Sequence, residues 1–424
     1  MKEHVKTALL VLLGLSALYL LGRTWIYDSS LLAGRAVSNP ILAALFGVDR
    51  AEPEIWAPAR LDYAPSSVSP ARCALMRGGM RTGAQYGEEA GQAYEAFRFM
   101  LAEAFGAAGE AAELRESEWR EKLRRDSVYF EFSGRIPLSL LAAWLSADSP
   151  GDAVIEAVGL SFTEEGGTEL LWAEPDGTFY GADVYVERGP WPELPELRPC
   201  AFAFEADGNY AAKLAARQLI MEEAEPRETL GMSAPPDIQQ DLSLYAPFLE
   251  KLELSPLGTP FYMRGGARVY VDVGSGRSCE ISPDGTIFFS CSARTELPEG
   301  SGDTRPAAVL LAWETVSLLE PVMGGARFEV CRVTQTGAGI TVEMMPAVNG
   351  VPVLWEPAVV EVERGAVRRM SLRLCRVTDG AERTAPLPLR QAAALLPDGG
   401  AARLGLRYAV GDDGYARAVW AVGS

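Results

Sequence analysis

An uncharged run of sixteen residues, Thr7 to Gly22 (TALLVLLGLSALYLLG), constrains this chain more than any other feature. A terminal segment this apolar is expected to enter a membrane and to leave the remainder as a separate body. The run is short for a ~30 Å hydrocarbon core at ~1.5 Å rise per residue. Arg23 can snorkel, however, and Trp25 and Tyr27 suit the headgroup layer, which extends the usable span to about twenty residues. Lys2 and Lys6 precede the run, so that end is expected in the cytoplasm and the body outside. Two readings stay open: an uncleaved signal anchor and a cleaved signal peptide. The anchor is the expectation, because no small-x-small cleavage pattern directly follows the run. Gly14 and Ala17 lie three apart, on neighbouring positions of one helix face, and are the candidate close-packing residues for a partner helix.

The body is acidic and almost free of histidine. The 424 residues carry a net charge of −18, and the first 27 are net positive, so the remainder is more acidic still. Nucleic acid and anionic wall polymers are excluded as favoured ligands by that sign. The single histidine, His4, precedes the apolar run. Ser-His-Asp and Cys-His catalysis, and zinc held through imidazole, are therefore ruled out for the body. The six cysteines form no C-x-x-C pair, which removes zinc ribbons and thioredoxin-like redox. Cys279 and Cys291 flank a hairpin turn; a disulfide there and two buried small apolar side chains are the alternatives.

An apolar content of 48% supports real cores. Residues 28–58 read as a juxtamembrane connector after the anchor at 1–27. Proline density at 189–199 and the Gly-, Pro- and charge-rich stretch 296–305 then suggest three extracytoplasmic domains, at 59–190, 197–300 and 306–424. Helical spacing appears at 88–105, 113–125, 137–145, 209–223, 237–251, 306–319 and 387–396. Alternation marks strands at 127–133, 168–173, 178–182, 200–205, 267–273, 276–281, 286–291, 327–334, 339–347, 351–363, 366–377, 401–410 and 415–422. Pro-Asp-Gly at 175–177, 283–285 and 397–399 supplies turns. The expected class is α+β: a transmembrane helix followed by a multi-domain body of antiparallel sheets with packed helices.

Constellations for catalysis are missing. There is no G-x-S-x-G elbow, no S-x-x-K and no phosphate-cradling loop; Gly274-Ser275-Gly276 lies between strands. Glu164-Glu165, Glu222-Glu223 and Asp412-Asp413 are paired acids, but in turns or at helix ends of an already acidic chain. The sequence thus offers no catalytic, cofactor-binding or metal residue. Trp191, Trp355 and Trp420 are the candidate interaction surface, with core packing as the alternative.

Three stretches resemble a known family. They are the anchor MKEHVKTALLVLLGLSALYL with the following Trp25, the segment ARVYVDVGSGRSCEISPDGTIFF at 267–289, and Asn349-Gly350-Val351-Pro352-Val353 with the closing LRY at 406–408 and AVWAV at 418–422. Together they are similar to the YycH/YycI group of membrane-anchored accessory proteins of Gram-positive bacteria. The resemblance implies PepSY-like later domains and no enzymatic activity. It also implies a role in modulating a two-component sensor histidine kinase that governs cell-wall metabolism, through contacts with the kinase and with a paired accessory membrane protein. A cell-surface scaffold or protease-inhibitory module is the alternative.

Overall fold

A computed structural model describes residues 69–184, 191–221, 226–292, 305–336, 339–397 and 401–422. All of them lie in one compact unit, Arg60–Ser424. The first part of that unit is a sheet built from β1 (Pro70–Arg77), β2 (Met80–Gln85), β3 (Ala112–Leu114), β4 (Ser127–Pro137), β5 (Val154–Phe162), β6 (Thr168–Ala173) and β7 (Phe179–Val184). Its order is β2-β1-β4-β5-β6-β7-β3, antiparallel throughout. β8 (Arg198–Phe202) extends the β2 edge and β9 (Leu219–Met221) pairs with β8.

Strand β4 is buried on both faces, which its sequence explains. Val128, Phe130 and Phe132 alternate toward the main core, while Tyr129 joins Trp119 and Phe202 in a second cluster behind the sheet. Helix α1 (Glu88–Gly106) covers the first face with Ala90, Ala93, Tyr94, Phe97, Leu101, Ala104 and Phe105, spaced to form one apolar stripe. Glu88 and Glu89 in its first turn complement the helix dipole. Helix α2 (Glu116–Arg124) buries Trp119 and Leu123 on the second face. Helix α3 (Leu138–Leu145) joins α1 in the main core.

After β10 (Arg227–Ser233) and the short α4 (Ala246–Lys251), a second sheet forms. It comprises β11 (Phe261–Arg264), β12 (Ala267–Asp272), β13 (Arg277–Ile281) and β14 (Thr286–Cys291). Beyond α5 (Arg305–Ser317) and α6 (Glu320–Met323) come β15 (Arg327–Thr336), β16 (Gly339–Val348), β17 (Val351–Pro352), β18 (Ala358–Glu363) and β19 (Ala366–Arg373). The order is β11-β12-β13-β14-β19-β18-β16-β15, with β17 folded back on β16. Ala308, Val309, Ala312 and Val316 bury α5 against this sheet. A third, four-stranded sheet, β20-β10-β22-β21, uses β20 (Arg376–Thr384), β21 (Leu404–Val410) and β22 (Tyr415–Val422); α7 (Leu389–Ala394) precedes its last hairpin.

The first and second sheets meet at one parallel bridge, Arg332 with Arg135. Gly134 permits the approach. A Cβ there would stand 2.5 Å from Cys331 Cα, so any larger residue would force β4 and β15 apart. One hydrophobic core runs continuously from Ala71 to Ala418. Of the expected boundary stretches, 296–304 lies outside the described residues, and Arg198 and Pro199 at the end of 189–199 pair directly with β2.

The expected α+β class with a leading transmembrane helix needs correcting. The described residues are predominantly strand, and none of their helices is long and apolar enough to cross a membrane. The expected anchor, with Gly14, Ala17, Arg23, Trp25 and Tyr27, lies outside the described residues, as does the connector 28–58. Two expected helices are also largely replaced. At 209–221, only a 3₁₀ turn, Ala211–Lys213, precedes β9. The backbone there is committed elsewhere: Leu214 bridges Ala402, and Ala203 N–H donates to Gln218 O at 2.8 Å. Tertiary pairing overrides a favourable helix composition. At 237–251 the helix shrinks to Ala246–Lys251 behind a 3₁₀ turn. The two described Pro-Asp-Gly segments are turns, with Gly177 and Gly285 at positive φ and the aspartates accepting from Thr178 N–H and Thr286 N–H.

Candidate functional site

Charged groups crowd the junction between the first two sheets. Glu131 comes from β4, Glu156 from β5, Arg72 from β1 and Arg403 from the segment entering β21. Arg72 Nη1 meets Glu131 Oε1 at 2.8 Å, and Arg403 Nη2 meets the same oxygen at 2.8 Å. Arg403 also pairs with Glu156, whose Oε2 accepts from Arg217 Nη2 at 2.6 Å. The Glu131 side chain is 2% exposed and those of Glu156 and Arg217 are 7%, so these are desolvated charges that need each other. Burial alone would raise the Glu131 carboxyl, but Arg403, Arg72 and Arg217 outweigh it and hold the group below its ordinary value.

The same side chains clamp the end of the chain. Tyr86 Oη accepts from Arg72 Nη2 at 2.9 Å and from Leu406 N–H at 2.8 Å. Gln218 Oε1 accepts from Leu404 N–H at 2.8 Å, and Leu404 O accepts from Arg72. Arg72, Tyr86 and Gln218 thus satisfy backbone groups along the edge of β21 that does not face β22.

Beside the network is a cavity of about 360 Å³, walled by β4, β15, β16 and β21. Five arginines and four glutamates line it, among them the network's Arg72, Arg403, Glu131 and Glu156. Two lining groups lack an opposite charge. Among the described residues Arg407 donates only to Met345 Sδ, at 3.5 Å, and the Glu329 carboxylate meets no cation. Burial raises the Glu329 carboxyl from an ordinary 4.5 to about 7. A carboxyl raised by folding favours the protonated form, so its contribution to stability is full below about 4.5 and is lost as pH rises through about 7. Replacing Glu329 with Gln should abolish a fall of about 1–2 kcal/mol across that window, less than the whole shift because the residue is only half-buried. Urea unfolding at a series of pH values reads this directly, and identical pH profiles for the two proteins would refute it.

A second candidate surface lies on the outer face of the second sheet. Paired residues there form one row, Tyr262, Val269, Glu280, Phe288, Ser371 and Val359. Tyr262 and Phe288 are each about half exposed, and a shallow trough of about 450 Å³ runs between them and Val359. Strand β11 is the edge, with Phe261, Tyr262 and Met263 all exposed, and it pairs only with β12 among the described strands. Arg264 and Glu280 pair beside the trough, and Arg369 and Glu361 face each other at 3.8 Å. An exposed apolar edge of this kind is the usual liability that a sheet either protects or uses.

The three expected surface tryptophans are all half-buried. Trp191 packs edge-on against Phe97 and Phe162, at ring distances of 5.5 and 5.6 Å. Trp355 Nε1–H donates to Arg373 O at 2.9 Å, and Trp420 Nε1–H to Leu387 O at 2.6 Å. The structure does not bring them together at the cavity or the trough. Of the acid pairs, Glu164 and Glu165 are exposed in a turn, Asp413 pairs with Arg417 at 2.6 Å, and Glu222-Glu223 lies outside the described residues. All six cysteines are free thiols, including Cys279 and Cys291. Burial pushes Cys73, Cys200 and Cys331 up to about 12 and Cys375 to about 11, which makes them poor nucleophiles. Among the described residues no three His, Cys, Asp or Glu side chains converge as a metal site requires.

No family model and no curated protein sequence matches the chain. Two solved structures align with it weakly. One is the dehydratase domain of a mycocerosic acid synthase-like polyketide synthase, 12% identical with a TM-score of 0.19, over 66% of this chain and 97% of that one. The other is the dehydratase domain from the terminal module of the rifamycin polyketide synthase, 13% identical with a TM-score of 0.13, over 64% and 96%. Likeness at this level carries no argument about either fold or function.

Proposed function

We propose that this chain is a non-enzymatic extracytoplasmic accessory protein that acts at the cell membrane and modulates a two-component sensor histidine kinase controlling cell-wall metabolism. The observation that carries a binding role is the outer face of the second sheet. There Tyr262 and Phe288 stand exposed in one row beside the apolar edge strand β11. An extended segment of the kinase's extracytoplasmic part would add to that edge through main-chain hydrogen bonds, with Tyr262 and Phe288 gripping its side chains. Charges of both signs beside the trough, Arg264 and Arg369 with Glu280 and Glu361, suit a polypeptide better than a polyanion. The thiols raised by burial and the ion-paired carboxylates at the sheet junction fit a scaffold more readily than a reacting centre. The sequence resemblance supplies the identity of the kinase and of the paired accessory protein.

The test is the Tyr262→Glu/Phe288→Glu variant of the full chain. Both residues are exposed, so thermal stability should hold. Co-purification with the kinase should fall at least about tenfold, and kinase output in cells should shift to that of a deletion strain. Unchanged complex formation and unchanged output would overturn the proposal. Loss of binding to some other surface partner, with kinase output unaffected, would favour the scaffold or protease-inhibitory alternative.

A further inference from the structure

The sheet-junction cavity is a different place from the docking face, and its chemistry points to a different kind of ligand. Glu329 and Met345 are directly paired across β15 and β16, so their side chains share one face. Arg407, from β21, reaches the same Met345 with Nη1 at 3.5 Å from its Sδ. A carboxylate and a guanidinium therefore flank one thioether on the wall of a single cavity. They do not neutralise each other, because no ion pair joins them. Every other lining charge is engaged: Arg72, Arg403, Glu131 and Glu156 in the buried network, Arg135 with Glu156 at 3.7 Å, and Arg332 with Glu343 at 3.8 Å.

From this we infer that the cavity binds a small zwitterion, a free amino acid or short peptide, whose carboxylate meets Arg407 and whose ammonium meets Glu329. A single anion would leave Glu329 alone, and a single cation would leave Arg407 alone; a ligand carrying both groups satisfies the two at once. A volume of about 360 Å³ is near the lower end of the ~300–1,000 Å³ range of small-molecule sites. That leaves room for something of amino-acid to dipeptide size and too little for a nucleotide. Guanidinium donors match a carboxylate in a fork geometry, which fixes the ligand's orientation. Because β4, β15 and β21 all contribute to the wall, an occupant would tie the first sheet, the second sheet and the closing hairpin together. Occupancy is then linked to the stability of that junction.

Calorimetric titration and thermal unfolding of the full-length protein, without any kinase, test this with alanine, glutamate and dialanine as probes. At least one should bind saturably in the micromolar to millimolar range and raise the unfolding temperature. Blocking either charge of the best probe, by N-acetylation or by C-terminal amidation, should weaken binding at least about tenfold. Arg407→Gln should weaken binding of the unmodified probe by a similar factor. It should lose nothing further with the amidated probe, which already lacks the group that Arg407 holds. Glu329→Gln should give the mirror pattern with the acetylated probe. Three outcomes would overturn the inference: no saturable response with any of the three probes, which would mean a cavity filled by water only; binding indifferent to both blocked ends; or binding unchanged in both variants, which would place the probe elsewhere on the protein. None of these outcomes depends on the kinase, so the docking proposal and this one fail separately.

Discussion

Replacing Glu131 with Leu should cost about 3–5 kcal/mol of stability, among the largest losses expected of any single exposed or buried position. The reason is what remains: Arg72 and Arg403 would keep largely buried positive charges, and among the described residues only Glu156 would stay paired with Arg403. Urea denaturation measures the loss as a lowered midpoint at unchanged slope. Removing both members of a pair should be gentler than removing one. The Arg72→Met/Glu131→Leu double variant is therefore expected to recover part of the stability lost in the single change, a coupling that a double-mutant cycle isolates. Additive losses would show that the two side chains act separately. The contribution also has a pH signature. Since the arginines hold the carboxyl below its ordinary 4.5, it is complete above that value and disappears only as pH falls through the depressed one. Glu329 has the opposite slope, so the two groups together should place maximal stability in mildly acidic solution.

Phe97→Ala should cost a similar amount, about 3–5 kcal/mol, through a different mechanism. Phe97 is fully buried on α1, 6.2 Å from the Phe130 ring and 5.5 Å from Trp191. Truncation leaves a cavity between helix and sheet and removes the seat of Trp191. Phe97→Leu, which keeps most of the volume, should lose much less. Equal losses for the two variants would mean that ring geometry at this contact, and not cavity volume, sets the cost.

The difference between these two residues also explains what could be read in the sequence. Phe97 belongs to a stripe of period 3.6, and α1 is found at Glu88–Gly106 where that spacing places it. The strands from Arg327 to Thr336, Gly339 to Val348 and Tyr415 to Val422 alternate and lie within a few residues of expectation. Strand β5 did not announce itself, because it is buried on both faces and a run such as VIEAVGLSF has no alternation to detect. The junction network was legible only as an oddity: Glu131 sits among the aromatics of VYFEF, and Glu156 within an equally apolar run. A charge in such a place implies a partner, but the partners are Arg72, Arg217 and Arg403, scattered along the chain with no spacing to connect them. Arg407 and Glu329 are less visible still, since each sits at an ordinary outward position of a strand. Their pairing on one wall is created by how β21 lies across β15 and β16, which no local pattern encodes. The 209–221 segment errs in the other direction, where a good helical composition yields to Gln218 and Arg217 being drawn into the buried network.

The clamp on the final hairpin has a consequence for how the chain is made. Arg72 and Leu404 are separated by 332 residues, and until the later one has left the ribosome the buried charges of the first sheet have no complete set of partners. Synthesis delivers residues vectorially at roughly 5–20 per second, so the growing chain spends tens of seconds with its junction open. The junction cannot close until that segment arrives, and long-range closure of this kind is intrinsically slow. Strand β21 thus completes the junction, because Arg403 and Leu404 at its start supply the last partners of Glu131, Glu156, Arg72 and Gln218.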